Sequence, residues 1–355
     1  MAGILLFVAP PASGAAQDLP GLPPAALRGA PPTVRAYLAA RRTLAITVDG
    51  RLDDPAWQRA AWTADFTDIE GSVRPRPPLR TRVKMLWDDR YWYVAAELEE
   101  PDLWATITQR DAVIFHDNDF ELFIDPSGST HHYFEIELNA LATVWDLFLP
   151  KPYRDGGQAV NGWDVKGLDV AVGLQGTLND PEDRDRGWTV ELAIPWTAFA
   201  DSAGVTVPPR AGTQWRVNFS RVEWDRDVMA GEYRVRRDSA TGKLRPEHNW
   251  VWSPQGLVNM HLPELWGVVQ FGGARLQSDP DNDAARWALR RVYYAQRDFQ
   301  QANGAYAADL AALAVPQLPA DLGLRLTADG WEAWLPGSRT RPTWHIRADG
   351  LLWKN

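Results

Sequence analysis

The sequence contains no cysteine, which excludes disulfides, thiol catalysis, iron–sulfur clusters and thiolate zinc sites together. It does not fix a compartment, because a protein can be exported without disulfides. No apolar run approaches the roughly eighteen residues of a membrane-spanning helix. Basic runs are also missing. With 37 Lys+Arg against 46 Asp+Glu the formal net charge is −9, which argues against a nucleic-acid partner. The sequence shows no Ser-His-Asp grouping, Gly-x-Ser-x-Gly, glycine-rich phosphate loop or helically spaced zinc His pair. What remains is an ordinary globular composition over 355 residues, 45% apolar and 23% charged. That is enough for a large domain with an appendage, or for two domains. The unusual abundance is tryptophan, nineteen in all.

Four stretches differ in character. The short apolar run Ile4–Ala9, followed by small residues to Ala16, reads as the end of a secretory signal over residues 1–16. Export to a periplasmic or extracellular space is the corresponding expectation. Residues 17–43 are rich in Pro and Ala and read as a linker, with a short helix over Thr33–Arg42. Residues 44–272 give strand after strand. Thr81–Trp87 and Tyr91–Leu98 form a hairpin across Asp88-Asp89-Arg90, and Phe120–Asp125 and His132–Asn139 form another. Val144–Leu149, Asp169–Leu178, Trp188–Ile194, Trp215–Glu223 and Gly267–Phe271 continue the series. The fold expected is mainly β: an antiparallel, jelly-roll-like β-sandwich. Residues 273–355 form a small helix-plus-hairpin appendage. A helix over Asp279–Gln301, capped by Asp281 or Asp283 and ended by Asn303-Gly304, precedes hairpins at Asp329-Gly330 and Asp349-Gly350. This extension is a candidate surface for a protein partner.

Most of the tryptophans read as core, Trp87, Trp188, Trp215 and Trp266 among them, since each large ring hides ~150–250 Å². With nineteen available, at least one exposed ring that stacks on a sugar is expected. Phe115, Trp104, Trp145, Trp163 and Trp224 are the candidates, lying beside turns or polar strands. Strand alternation puts Tyr133, Glu135, Glu137 and Asn139 on one face, against Phe134, Ile136 and Leu138 on the other. Likewise Arg216, Asn218 and Ser220 oppose Trp215, Val217 and Phe219. Like charges two apart on one face repel, so Glu135 and Glu137 need partners, for which Arg216 or Arg221 is available. Two readings stay open: a solvated outer face, or a carboxylate–Asn–Arg rim that bonds sugar hydroxyls. As a catalytic pair, Glu135 and Glu137 meet any distance test by adjacency alone and so carry no information. Asn179–Asp185 offers oxygen ligands to calcium, or is a solvated loop.

Seven motifs in order resemble the family 9 carbohydrate-binding modules and the wider DOMON-like β-sandwiches. They are Val48–Trp57, Leu86–Val94, Asp119–Pro126, Gly187–Pro195, Trp215–Phe219, Trp252–Pro254 and Glu264–Phe271. The resemblance implies a jelly-roll-like sandwich that binds a glycan without catalysis, often as a companion to glycoside hydrolases. It places Phe115 and Met260 at the positions of two clamping aromatics, and Glu121 at a sugar-contacting carboxylate. Glu135 and Glu137 stand where those modules hold Arg and Asn. Members often bind calcium. The expected glycan site is thus Phe115, Glu121, Glu135, Glu137, Asn139, Trp145, Asn218, Arg221 and Met260. Two alternatives are a glycoside hydrolase component and a haem-binding electron-transfer domain using Met85, Met260 or His261.

Overall fold

The computed structural model describes residues 31, 33–200 and 204–355. The expected signal over 1–16 and the linker up to residue 30 lie outside the described residues. Fourteen strands build the main body: β1 (Ala36–Arg41), β2 (Thr67–Asp68), β3 (Thr81–Trp87), β4 (Tyr91–Glu99), β5 (Asp119–Asp125), β6 (Tyr133–Asn139), β7 (Val144–Leu149), β8 (Asp169–Gln175), β9 (Gly187–Pro195), β10 (Thr213–Glu223), β11 (Arg226–Met229), β12 (Glu232–Val235), β13 (His248–Val251) and β14 (Gly267–Phe271). One sheet runs β7-β6-β5-β10-β14-β1, with β13 and β2 branching from β10, and the other runs β1-β3-β4-β9-β8. The strands β11 and β12 form a separate ribbon.

The two inner faces share one core. Val83, Met85, Trp92 and Val94 meet Leu122, Ile124, Ile136, Trp215 and Phe271, all buried. Period-two alternation places these residues, so the strand reading of the sequence holds. Trp92, Trp196, Trp215 and Phe271 meet edge to face, with ring centroids 5.1–6.2 Å apart. That geometry suits aromatic quadrupoles. None of the nineteen tryptophans is fully exposed; each is buried or half-buried. The expectation of an exposed ring is therefore corrected.

A second correction concerns Thr33–Arg42. No helix forms there: β1 falls within the span read as linker, and it pairs in parallel with both sheets. Ala36–Ala39 run beside Val268–Phe271, while Ala40 and Arg41 run beside Leu86 and Trp87. The sandwich is antiparallel except at this shared strand. Tyr37 and Ala39 are buried because β1 fills the seam where the sheets part.

The loop 44–60 covers the outer face of the second sheet. Trp57, wholly buried, packs with Leu86, Tyr93, Ala95 and Ala193. Its latch is Glu191 on β9, also wholly buried, whose carboxylate accepts from Trp57 Nε1 (2.7 Å), Gly50 N (2.8 Å) and Asp49 N (3.0 Å). Gly50 has φ +80°, and a Cβ there would lie 2.5 Å from the backbone of Val172 and Gly173. Glycine is therefore required where the loop crosses β8.

The C-terminal unit is helix α1 (Pro280–Asn303) against the antiparallel sheet β15 (Gly323–Thr327), β16 (Gly330–Leu335), β17 (Trp344–Arg347) and β18 (Leu352–Lys354). Asp279, rather than Asp281 or Asp283, caps the helix by accepting from Asn282 N. Pro280 follows it at the first helical position, where its missing N–H costs nothing. Gly304 ends the helix at φ +73°. Leu257, Leu262 and Leu265 of the main body join the core of this unit. Arg154 pairs with Glu264 (2.9 Å), and Glu264 also takes the Tyr294 hydroxyl. Arg286 donates to Gly128 O (2.6 Å), and Leu352 N to Ser129 O (3.1 Å). The apolar side of α1 is thus spent on its own sheet and on the sandwich.

Candidate functional site

The outer face of the first sheet is where the expected site residues diverge. Register puts Glu121 of β5 directly opposite Glu137 of β6, Phe123 opposite Glu135, and Ser220 of β10 opposite Glu121. Asp119 lies two residues before Glu121, on the same face. This face is not solvated. Asp119 and Ser220 are 0% exposed, Glu137 1%, and Glu121 and Glu135 4%. On one side the cover is Phe123, Tyr133, Leu147, Met260 and Trp266, with Trp145 packed against them. On the other it is Trp104, Val222, Trp224 and Tyr233, with Phe115 packed against them.

Carboxylates Asp119, Glu121 and Glu137 each bring an oxygen within 4.8 Å of the others. Two backbone donors reach the group: Phe115 N to Glu137 (3.2 Å) and Val222 N to Asp119 (3.1 Å). Asp119 Oδ2, Glu121 Oε2 and Glu135 Oε2 make no well-aligned hydrogen bond, and the Ser220 hydroxyl lies against the Glu121 carboxylate. Burial pushes every one of these acids up. Glu121 rises to about 7, with the Glu247 charge adding to burial, and Glu135 to about 8, with Glu121 adding. Glu137 and Asp119 rise well above the usual carboxylate range through burial and then the Glu121 charge.

The arginines expected to neutralise this face do not. Arg221 is one residue past Ser220 and so points to the opposite side, where it pairs with Glu100 (2.9 Å) and Glu223 (2.7 Å). Arg216 sits opposite Asp125, at the far end of β5 from Asp119, and donates to Trp266 O (3.0 Å). Asn139 donates to Ile107 O and Asp117 and accepts from Leu141 N and Thr143 N. Asn218 bonds both backbone groups of Ser253. The structure therefore brings together Phe115, Glu121, Glu135, Glu137 and Trp145, and leaves Asn139, Asn218 and Arg221 bonded elsewhere. Met260 lies near its edge, its sulfur 3.2 Å from Gln255 Nε2.

Sequence reasoning left Asp119 and Ser220 out of the site. The signal was there, since each is in phase with a residue that was included. Phe115 and Trp145 form the aromatic edge, with centroids 6.4 Å apart and planes 32° apart. Trp145 stands across from Glu137 in register. Among the other aromatic candidates, Trp163 packs tilted against Phe134 at the inner core (4.8 Å), and Trp224 donates to Phe115 O (2.8 Å). Met85 packs between the sheets while Met260 lies outside the first sheet, so the two face no common iron. In the loop 179–185, Asp185 is taken by the backbone of Leu103 and Thr177, and Asn179 by Ala105. No helix of the described residues is long and apolar enough to cross a membrane.

The molecule is thus a two-sheet β-sandwich with a buried, aromatic-edged polar cluster on one outer face. The model of the carbohydrate family 9 binding domain-like family matches residues 48–232, just over half of the chain, and the chain belongs to that family. Endo-1,4-beta-xylanase A of Thermoanaerobacterium saccharolyticum is 24% identical over 160 residues, 45% of this chain and 12% of that protein. Exoglucanase XynX of Acetivibrio thermocellus is 24% identical over 152 residues, 43% of this chain and again 12% of that protein. The match thus spans about an eighth of these relatives. A solved family 9 module from Caldicellulosiruptor kristjanssonii, in complex with cellotriose, aligns at TM-score 0.42 and 16% identity, over 69% of this chain and all of that one.

Proposed function

We propose that this protein is an exported, non-catalytic carbohydrate-binding protein that holds a glycan at the Phe115–Trp145 edge. The observation that carries this reading is the placement of two half-buried rings, 6.4 Å apart, beside a polar floor on a family 9 sandwich. A pyranose offers C–H groups on its face and hydroxyls at its rim, which suits an aromatic edge next to carboxylates. The xylanase and exoglucanase relatives favour a plant-polysaccharide fragment as ligand and a supporting role in polysaccharide breakdown. The apolar start of the sequence supports export. A protein partner for residues 273–355 would use surfaces other than the apolar side of α1.

The test is a glycan array on the chain from Gln17, with hits quantified by calorimetry. Phe115→Ala and Trp145→Ala are each expected to weaken binding at least about tenfold, the equivalent of about 1.4 kcal/mol. Both variants should keep the wild-type circular dichroism. Unchanged affinity in both, or no glycan bound by the folded wild type, overturns the reading.

A further inference from the structure

A concavity lies away from the Phe115–Trp145 edge, on the other sheet. Register sets Glu99 of β4 opposite Gly187 of β9, and Gly187 opposite Gln175 of β8. Leu98 and Trp188 face the core, so alternation turns Glu97, Glu99 and Gln175 to the outer face. The loop 44–60 crosses β8 at Gly173, where Gly50 touches it, and Gln175 lies two residues further along. There Arg80, Glu97, Glu99, Gln175 and Arg186 wall a cavity of about 250 Å³, over the buried Leu98 and Gly187.

The charges in this cavity are unequally matched. Glu97 is taken by Arg80 (3.0 Å) and Arg82 (3.1 Å). Glu99 is taken by the Arg80 guanidinium (3.0 Å) and by Arg80 N (3.1 Å). Arg186 and Gln175 differ, because among the described residues their side chains make no hydrogen bond or ion pair. Their backbones are fixed, with Arg186 N donating to Gln175 O (3.0 Å) and Glu100 N to Arg186 O (3.3 Å). Arg80 and Arg82 balance Glu97 and Glu99, so the Arg186 charge is left over. Its planar fork of N–H donors suits a carboxylate, held by two parallel bonds. Glu97 and Glu99 also keep lone pairs that can accept from hydroxyls.

We propose that this cavity binds a sugar ring carrying one carboxylate, a uronic acid residue. The Arg186 fork takes the carboxylate, and Gln175 with the spare oxygens of Glu97 and Glu99 bonds the ring hydroxyls. A simple carboxylate would satisfy Arg186 and offer the glutamates no donor. A neutral sugar would do the reverse. The volume, about 250 Å³, falls below the roughly 300–1,000 Å³ of drug-sized pockets, which suits one ring rather than a chain. The cavity and the Phe115–Trp145 edge belong to outer faces of different sheets, so the inference does not depend on a glycan at that edge.

The test is calorimetry on the full chain with sodium glucuronate and sodium galacturonate, against glucose and galactose as their uncharged parents. At least one uronate should bind, at least tenfold more tightly than its parent. Arg186→Ala should weaken that binding at least tenfold. Arg186→Lys, which keeps the charge and loses the fork, should recover only part of it. Arg186 is exposed, so both variants should keep the wild-type melting temperature. Arg184→Ala, which removes a charge from the same loop outside the cavity, should bind uronate like wild type. Arg186→Ala should also leave the binding of neutral glycans on an array unchanged, which separates this site from the Phe115–Trp145 edge. The proposal is overturned if folded wild type binds neither uronate, or binds both no more tightly than their parents. It is equally overturned if Arg186→Ala keeps full affinity, or if Arg184→Ala loses as much.

Discussion

Replacing Glu264 with alanine is expected to lower the unfolding free energy by about 3–5 kcal/mol, measured by urea denaturation near pH 7. The Glu264 and Arg154 side chains are only 7% and 6% exposed. Removing the carboxylate leaves the buried Arg154 guanidinium with the longer Asp155 contact (3.4 Å) and the Tyr294 hydroxyl without its acceptor. Burial alone would raise the Glu264 carboxyl, but Arg154, then Arg290 and the Tyr294 hydroxyl, hold it down at about 2. The sign for pH follows. A depressed carboxyl contributes stability that is complete above its ordinary value near 4.5 and is lost as pH falls toward about 2. The wild type should therefore lose about 3 kcal/mol more than Glu264→Ala across that window. A loss below about 1 kcal/mol at neutral pH would show that the pair does not hold the C-terminal unit in place.

Glu191→Ala is expected to be comparably damaging, at about 3–5 kcal/mol, because three donors lose one shared acceptor. Two of them are backbone N–H groups at Asp49 and Gly50, and the third is the indole of the wholly buried Trp57. The loop 44–60 would detach from the second sheet before the sandwich itself opens. Hydrogen exchange at Asp49 and Gly50 should speed up more than exchange in β4. Uniform acceleration across both would mean that Glu191 contributes only to global stability. Glu191→Gln retains one acceptor oxygen and should fall between alanine and wild type.

Most of the inner architecture was legible because strand periodicity is a local property. The alternation of Phe134, Ile136 and Leu138 with Tyr133, Glu135 and Glu137 was read correctly, and the first set lies in the core. The fate of the second set was not legible. Its cover comes from Met260 and Trp266 on one side and from Trp104, Trp224 and Tyr233 on the other, all distant in sequence. The pairing of Arg221 failed on register parity, since a one-residue step along a strand reverses the side chain. The strand β1 was missed because its Ala-rich sequence has neither β-branched residues nor alternation, and both its partners are remote. The motif around Gly50 was recognisable as a pattern, but its reason, a latch onto Glu191, needs the third dimension.

The seam strand also sets an order of events during synthesis. Ala36 must wait for Val268 to emerge from the ribosome before that pairing exists. Loop closure over such a distance is entropically costly and contributes to slow folding. A nascent chain stopped just before β14 lacks the strand that links β10 to β1, so no strand pairing yet joins its two half-built sheets. Completion is consequently a late and cooperative step, and the two sheets become one body only when the end of the sandwich returns to its beginning.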